Sequence, residues 1–356
     1  MKKTLAIAIL LTTIYTSCSN DFDVTAGWKE ISVIYGLINP QDTQHFIKIQ
    51  KAFLDEETGA LQIASIGDSL FHQDSLHVTI KDINSGATWT LDKVDGNTIG
   101  LIKDPGLFGS APNTLYTFNA NLNYNNTIQL LVRNTRTGKL DSASCDLVNT
   151  NLNAQTPGIF NLTSPINLTY TIGASTPYTV LFYTVVDGKQ YELDAYIHYH
   201  ETTTTDTSTV TFRDSIYLPI INKYIAENVN ISESVNYPYV RENFFRTIAD
   251  QLEPKANTIR FFDNIDFYYH IGGQELYNYI LINNTQSGIA SDQILPKYTN
   301  IKGDQSLGIF TSRTTVPVPN IKIDAYTLDS ISCGVFTQGL GFAPQPANPF
   351  YPFTCN

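Results

Sequence analysis

From Trp28 onward, apolar and polar positions alternate in short runs broken by turn-forming residues. "ISVIYGLI" stops at Asn39 and Pro40, and "QHFIKIQKAFL" follows, with Phe46, Lys48 and Gln50 alternating with Ile47, Ile49 and Lys51. A period of two sends successive side chains to opposite faces, so this run predicts a half-buried strand. Further runs lie at "LHVTIKDI", "ATWTLDKV", "TLYTFNANL" and "TIQLLVRNT", and Asn84, Ser85 and Gly86 supply a hairpin turn between the first two. Short strands spaced this way predict an antiparallel β-sandwich, immunoglobulin-like in broad architecture, over residues 26–148. The polar stretch "NTNLNAQTPG" at 149–158 ends in Pro157 and Gly158 and reads as a linker.

The remainder, 159–356, opens with strands again at "INLTYTIG", "TVLFYTVV" and "KQYELDAYIHYHE". Its middle changes period. Val240, Phe244, Ile248 and Leu252 recur every fourth position between Pro238 and Pro254, which predicts an amphipathic helix over 237–253. After the strand "TIRFFDNIDFYYHI", Leu276 and Ile280 with Tyr277 and Tyr279 predict a second, shorter helix over 273–284. Strands return at "LGIFTSR" and "IKIDAYTL". The expected fold is therefore mainly β: an N-terminal immunoglobulin-like antiparallel β-sandwich followed by a second β-rich domain with one or two short α-helices.

The first seventeen residues follow a different logic. Lys2 and Lys3 precede an apolar run from Leu5 to Tyr15, and Thr16, Ser17 and Cys18 close it. That run is about ten residues, half of the roughly twenty that a spanning helix needs, so 1–17 reads as a signal peptide. Small residues before a cysteine are what a lipoprotein signal peptidase accepts, which makes Cys18 the expected site of diacylglyceryl lipidation. Tyr15 departs from the usual Leu, Val or Ile, and ordinary cleavage with an incidental cysteine is the alternative. Residues 18–25 then form an acidic tether, and two acyl chains suffice for stable anchoring.

Charge narrows the partners. The formal charge is −11, and loss of Lys2 and Lys3 on processing would make it two units more negative. With 22 basic residues in no cluster, the chain is repelled by phosphate backbones, so no nucleic acid is expected. If Cys18 carries lipid, Cys145, Cys333 and Cys355 remain, which permits one disulfide. Cys333 and Cys355 bracket the loop "GLGFAPQPANPFYP" and are the favoured pair over three free thiols.

Candidate chemistry is sparse. His198 and His200 stand two apart on a strand and share a face, a weak metal pair that lacks a third ligand unless Glu201 or His270 supplies it. Asp263 and Asp266 flank "NI" before Tyr268, and Asp55, Glu56 and Glu57 read as a solvated loop. No GxSxG, HExxH, Walker or GxGxxG motif is present, so neither catalytic residues nor a cofactor are expected. Aromatics are the feature with binding potential: 21 Tyr and 19 Phe, with Tyr268, Tyr269, Tyr277 and Tyr279 as candidate ligand contacts. Alternation along strands assigns about half of such residues to the core.

Two resemblances add to this reading. Ser19, Asn20, Asp21, Phe22 and Asp23 resemble the acidic export tag that sends Bacteroidota lipoproteins to the outer leaflet of the outer membrane. Over nearly its full length, through "YGLINPQDTQHFIKIQKAFL", "ELYNYI" and "YTNIKGDQSLGIFTSR", the chain resembles Bacteroidota outer-membrane lipoproteins of the domain-of-unknown-function 4249 family. Asp304 and Gln305 depart from the glycine pair expected within "NIKGDQSLGIF". The resemblance implies a lipid-anchored, surface-facing accessory protein beside a TonB-dependent outer-membrane receptor, and it assigns no catalytic residues. A glycan or peptide is the expected ligand. A structural or adhesive surface component is the first alternative and an uncharacterised hydrolase the second.

Overall fold

A computed structural model describes residues 31–52, 71–104, 111–150, 165–169, 177–284, 298–304 and 306–344. Cys18, the tag at 19–23, Asp55, Glu56, Glu57 and Cys355 lie outside them. The protein is mainly β. Strands β1 (Ile31–Ile38), β2 (Gln44–Ala52), β3 (Leu76–Asp82), β4 (Thr88–Thr90), β5 (Asp92–Asp95), β6 (Thr114–Asn119), β7 (Thr127–Asn134) and β8 (Leu140–Asp146) precede residue 149. Strands β9 (Tyr178–Tyr183), β10 (Gln190–Thr203), β11 (Phe212–Ile225), β12 (Ser234–Tyr239), β13 (Thr258–Gly272) and β14 (Ser306–Ile321) follow it, with helices α1 (Arg241–Gln251), α2 (Gln274–Asn284) and α3 (Ala325–Cys333).

Alternation behaves as expected where it is clean. Ile47 and Ile49 of β2 are buried, and Asn84, Ser85 and Gly86 turn β3 into β4, with the Asp82 carboxylate accepting from the Asn84 and Ser85 amides. The four-stranded sheet β4-β3-β7-β8 presents Val78, Ile80, Ile128, Leu130 and Val132 to Ile34, Ile47, Ile49 and Phe118, which forms the first core.

Long-range pairing departs from a simple succession of units. The large sheet runs β11-β10-β13-β14-β1-β2-β6-β5, so it draws strands from both sides of the 149–158 stretch. Its middle is β1 paired in parallel with β14, Ser32 opposite Ser306 through Ile38 opposite Ser312. Phe310 of β14 belongs to the first core, and Val316 and Val318 in the same alternate row pack on the second, so the two cores lie side by side on one face of this sheet. The second core is closed by β9-β12, α1 and α3, through Phe182, Phe244, Phe245, Ile248 and Ile331.

Gly308 makes the central pairing close. It sits inside β14 at φ +112, opposite Ile34, and not in a turn. A Cβ there would stand 2.7 Å from the Ile34 carbonyl carbon and nearer still to its oxygen. Asn300 completes the arrangement: its amide donates to the Phe310 carbonyl at 2.7 Å and its oxygen accepts from the Phe310 amide at 2.9 Å. Ile301 beside it enters the first core. The "NI" of "NIKGDQSLGIF" is thus a clamp on Phe310.

One helix boundary and one strand expectation need correction. The first helix begins at Arg241, because Tyr237, Pro238 and Tyr239 belong to β12 and pair with β9. A proline pushes the residue before it into extended backbone, which keeps Tyr237 out of the helix. Val240 becomes an extended N-cap and is 55% exposed, while Phe244 and Ile248 keep the buried face. At the far end, "IKIDAYTL" is not a strand. Asp324 accepts from the Thr327 amide at 2.8 Å and caps α3, whereas Ile323 makes only an isolated bridge to Ile166. The expected second helix matches α2 to within one residue.

Candidate functional site

The face of the large sheet opposite the second core carries the site. Along β10, Leu193, Ala195, Ile197 and Tyr199 are buried, so Asp194, Tyr196, His198 and His200 point the other way. Antiparallel β11 and β13 flank this row. Tyr196 stands opposite Tyr217 of β11, ring centroids 5.5 Å apart, and meets Tyr268 of β13 edge-on at 5.7 Å. The Tyr217 hydroxyl donates to the Asp194 carboxylate at 2.8 Å; desolvation and then that carboxylate push the phenol up to about 12. Tyr217 is therefore a neutral donor at physiological pH.

Each outward histidine has its own aspartate across a strand boundary. His198 Nε2 lies 3.0 Å from Asp266, His200 Nδ1 2.7 Å from Asp263, and His270 Nε2 3.4 Å from Asp194. Asp263 reaches this face because of a bulge. His198 pairs with Asn264 and Tyr199 with Phe262, so Asp263 is the extra residue on β13 and is turned toward His200. Arg213 adds a bond to Asp263 at 3.1 Å, and Phe261 stacks on the His200 ring at 5.1 Å. Beside these pairs an open depression of about 460 Å³ is lined by His198, Arg213, Asp214, Ser215, Asp263 and Asn264.

The arrangement sorts the expected site residues. His198 and His200 do share a face, but each is held by a carboxylate, and Glu201 points inward to Arg260. Among the described residues, no group of three or more His, Cys, Asp or Glu side chains is arranged to hold a metal ion. Ser215 is the cross-strand neighbour of His198, a Ser, His, Asp row with Asp266. No hydrogen bond joins the Ser215 hydroxyl to the imidazole among the described residues, so a nucleophile and base contact is not made. Of the four tyrosines, Tyr268 lies in the exposed cluster. Tyr269 does not: it is 5% exposed and packs 6.0 Å from Phe182, as alternation with Tyr268 requires. Tyr277 lies under Lys189 and Lys223 at 5.7 and 5.4 Å, and Tyr279 hydrogen-bonds Tyr35; both are on α2, apart from the cluster. Tyr196 and Tyr217 are site residues that the motif reading missed. The i, i+2 row through His198 and His200 points back to Tyr196, whereas Tyr217 needed the β10–β11 register. Cys333 is disulfide-bonded, and Cys145 is a buried free thiol.

A second, smaller pocket of about 90 Å³ lies where the end of β8 meets the start of α2, lined by Cys145, Asp146, Asp187, Gln274, Glu275 and Thr311. Burial, then the neighbouring Asp146 charge, push the Asp187 carboxyl up to about 6. A carboxyl raised in the folded state stabilises the fold below its unfolded value, and that contribution is lost as pH rises through 6. Asp187→Asn is therefore expected to leave stability at pH 4 nearly unchanged and, because the half-exposed carboxyl is screened by solvent and realises only part of its full shift, to raise stability by about 1–2 kcal/mol at pH 7.5. Urea unfolding of both proteins at the two pH values reads this directly; an equal shift at both would implicate the left-handed backbone at Asp187 (φ 64), which asparagine also tolerates, instead of the charge.

The site thus belongs to a β protein with a solvent-facing aromatic and carboxylate surface. No protein-family model matches the chain, and no curated protein matches it in sequence.

Proposed function

We propose that this chain is a lipid-anchored protein of the outer membrane, facing the cell surface, that binds its ligand without transforming it and serves as an accessory to a TonB-dependent transport or surface assembly system. The observation that carries the binding part is the exposed cluster of Tyr196, Tyr217 and Tyr268 beside Asp194 on a rigid sheet face. Tyrosines in core positions bury their rings, yet Tyr196 and Tyr217 are 37% and 42% exposed while hydrogen bonds and ring contacts fix their orientation. Pre-oriented aromatics of this kind give contact area at little entropic cost. Support for the membrane part is the short apolar leader ending at Cys18 and the acidic run at Ser19, Asn20, Asp21, Phe22 and Asp23.

The test combines protease shaving of intact cells with affinity purification of the native chain and of a Tyr196→Ala, Tyr268→Ala double variant from outer membranes. A surface-accessible chain that recovers a TonB-dependent receptor or a glycan or peptide, with recovery lost in the variant, is the expected result. A shaved chain that recovers neither would favour a structural or adhesive role. A protected chain would overturn the surface placement.

A further inference from the structure

The acidic side chains set closest to the tyrosine cluster come from its own strands. Asp194 and Glu192 precede Tyr196 on its own strand, Asp266 lies two residues before Tyr268 on β13, and His270 beyond it is held by Asp194. Asp194 and Glu192, both negative, help to hold the Tyr217 phenol above its ordinary value. The bases on this face lie toward its two ends: Arg213 is bound to Asp263 and Lys322 donates to the Asp263 carbonyl at one, and Arg313 of β14, in the same outward row as the Thr315 that meets His270, stands at the other. Arg213 is four residues along β11 from Tyr217, and Arg313 four residues along β14 from Pro317, the partner of Tyr268, so each is about 13 Å away along its strand.

Ring geometry narrows the ligand further. Tyr268 meets Tyr196 at 84° and Tyr217 meets it at 55°, so the three rings form a cup and not one flat plane for stacking a sugar. A cup of ring faces rimmed with carboxylates suits a compact cation, which gains from the π faces and the acids together.

The strand edge beside the cup is closed. The Ser215 amide is held by Asp214 Oδ1, the Tyr217 amide and carbonyl are both taken by the Gln251 side chain, and Pro219 has no N–H. Strand addition to β11 is thereby blocked over 215–219, and a ligand must approach the face.

We infer that the cup formed by Tyr196, Tyr217 and Tyr268 with Asp194 receives a lysine or arginine side chain from an extended basic segment of a partner protein, seated on the sheet face. This rests on the binding role proposed above and names its chemistry.

The test titrates the full chain with fluorescein-labelled octapeptides that alternate Lys with Thr, Glu with Thr, or Ser with Thr, and with a neutral oligosaccharide. Saturable binding of the Lys peptide alone is expected, weakened at least about fivefold by Tyr196→Ala and by Asp194→Asn and kept by Tyr196→Phe, which retains the ring. Near-UV circular dichroism of each variant separates a lost site from a lost fold. Binding unchanged in the folded Tyr196→Ala and Asp194→Asn variants would mean attraction to the chain's overall charge and would overturn the inference. So would tyrosine-dependent binding of the oligosaccharide without the Lys peptide. The broader role fails separately: if the Lys peptide binds at the cup but the Tyr196→Ala, Tyr268→Ala variant still recovers the native partner, the cup stands and its accessory function does not.

Discussion

Gly308→Ala is expected to cost roughly 4 kcal/mol or more, a large share of the about 5–15 kcal/mol by which an ordinary domain is stable. Two effects add. The backbone at φ +112 is one that L-residues rarely adopt, and the new methyl would collide with the Ile34 main chain, which cannot step aside because it is paired on both sides. The damage would fall on the β1–β14 pairing, and so on the first core through Phe310, whose ring also occupies the space above Gly36. Thermal unfolding followed by far-UV circular dichroism checks this. A melting temperature within a few degrees of the parent would show that β14 can slide or bend away from β1.

The second large effect lies in the other core. Glu201 and Arg260 are 2% and 4% exposed, with Arg260 Nε 3.0 Å from one Glu201 oxygen and Lys255 Nζ 2.6 Å from the other. Arg260 also donates to the carbonyls of Leu340 and Glu253, so one side chain ties β13 to the turn after α3 and to the end of the α1 connection. Arg260→Ala is expected to cost about 3–5 kcal/mol, mostly because Glu201 would remain buried with a single exposed partner. Replacing both, Glu201→Leu with Arg260→Met, is expected to recover much of the loss, and urea midpoints of the single and double variants separate the two contributions. Burial raises the Glu201 carboxyl, but hydrogen bonds and charge from Lys255 and Arg260 outweigh it and hold the group below its ordinary value. The sign follows: this stabilisation is present above the usual glutamate range and is lost as pH falls through the depressed value.

Local chemistry was legible where one segment contained all of its own information. Ile47 and Ile49 alternate and are buried, Asn84 to Gly86 turn a hairpin, and Phe244 with Ile248 mark the buried side of α1. Where local signals compete, the sequence points the wrong way. Pro238 has the place of a helix opening but fixes an extended residue before it, and Ile321 and Ile323 carry a strand pattern that masks the Asp324 cap. Strand β8, "LDSASCD", carries almost no strand signal because its inward residues include only Ala143 and Cys145 as apolar side chains. Register is the kind of information a linear reading lacks. It puts Tyr217 opposite Tyr196, and through one bulged residue it sets Asp263 against His200, two residues whose pairing nothing in the linear sequence shows.

The parallel pairing of β1 with β14 also sets a timetable. Some 270 residues separate Ile34 from its partner Gly308, so the strand at the centre of the sheet is nearly the first to be synthesised and among the last to be satisfied. Contacts of such long sequence separation form slowly, because a large loop must close before they are rewarded. Until residues near Phe310 emerge, β1 is an open edge and the first core lacks a wall. A nascent chain built this way can pair β1 with β2 and gather most of the first core early, but it completes that core only when Ile301 and Phe310 arrive.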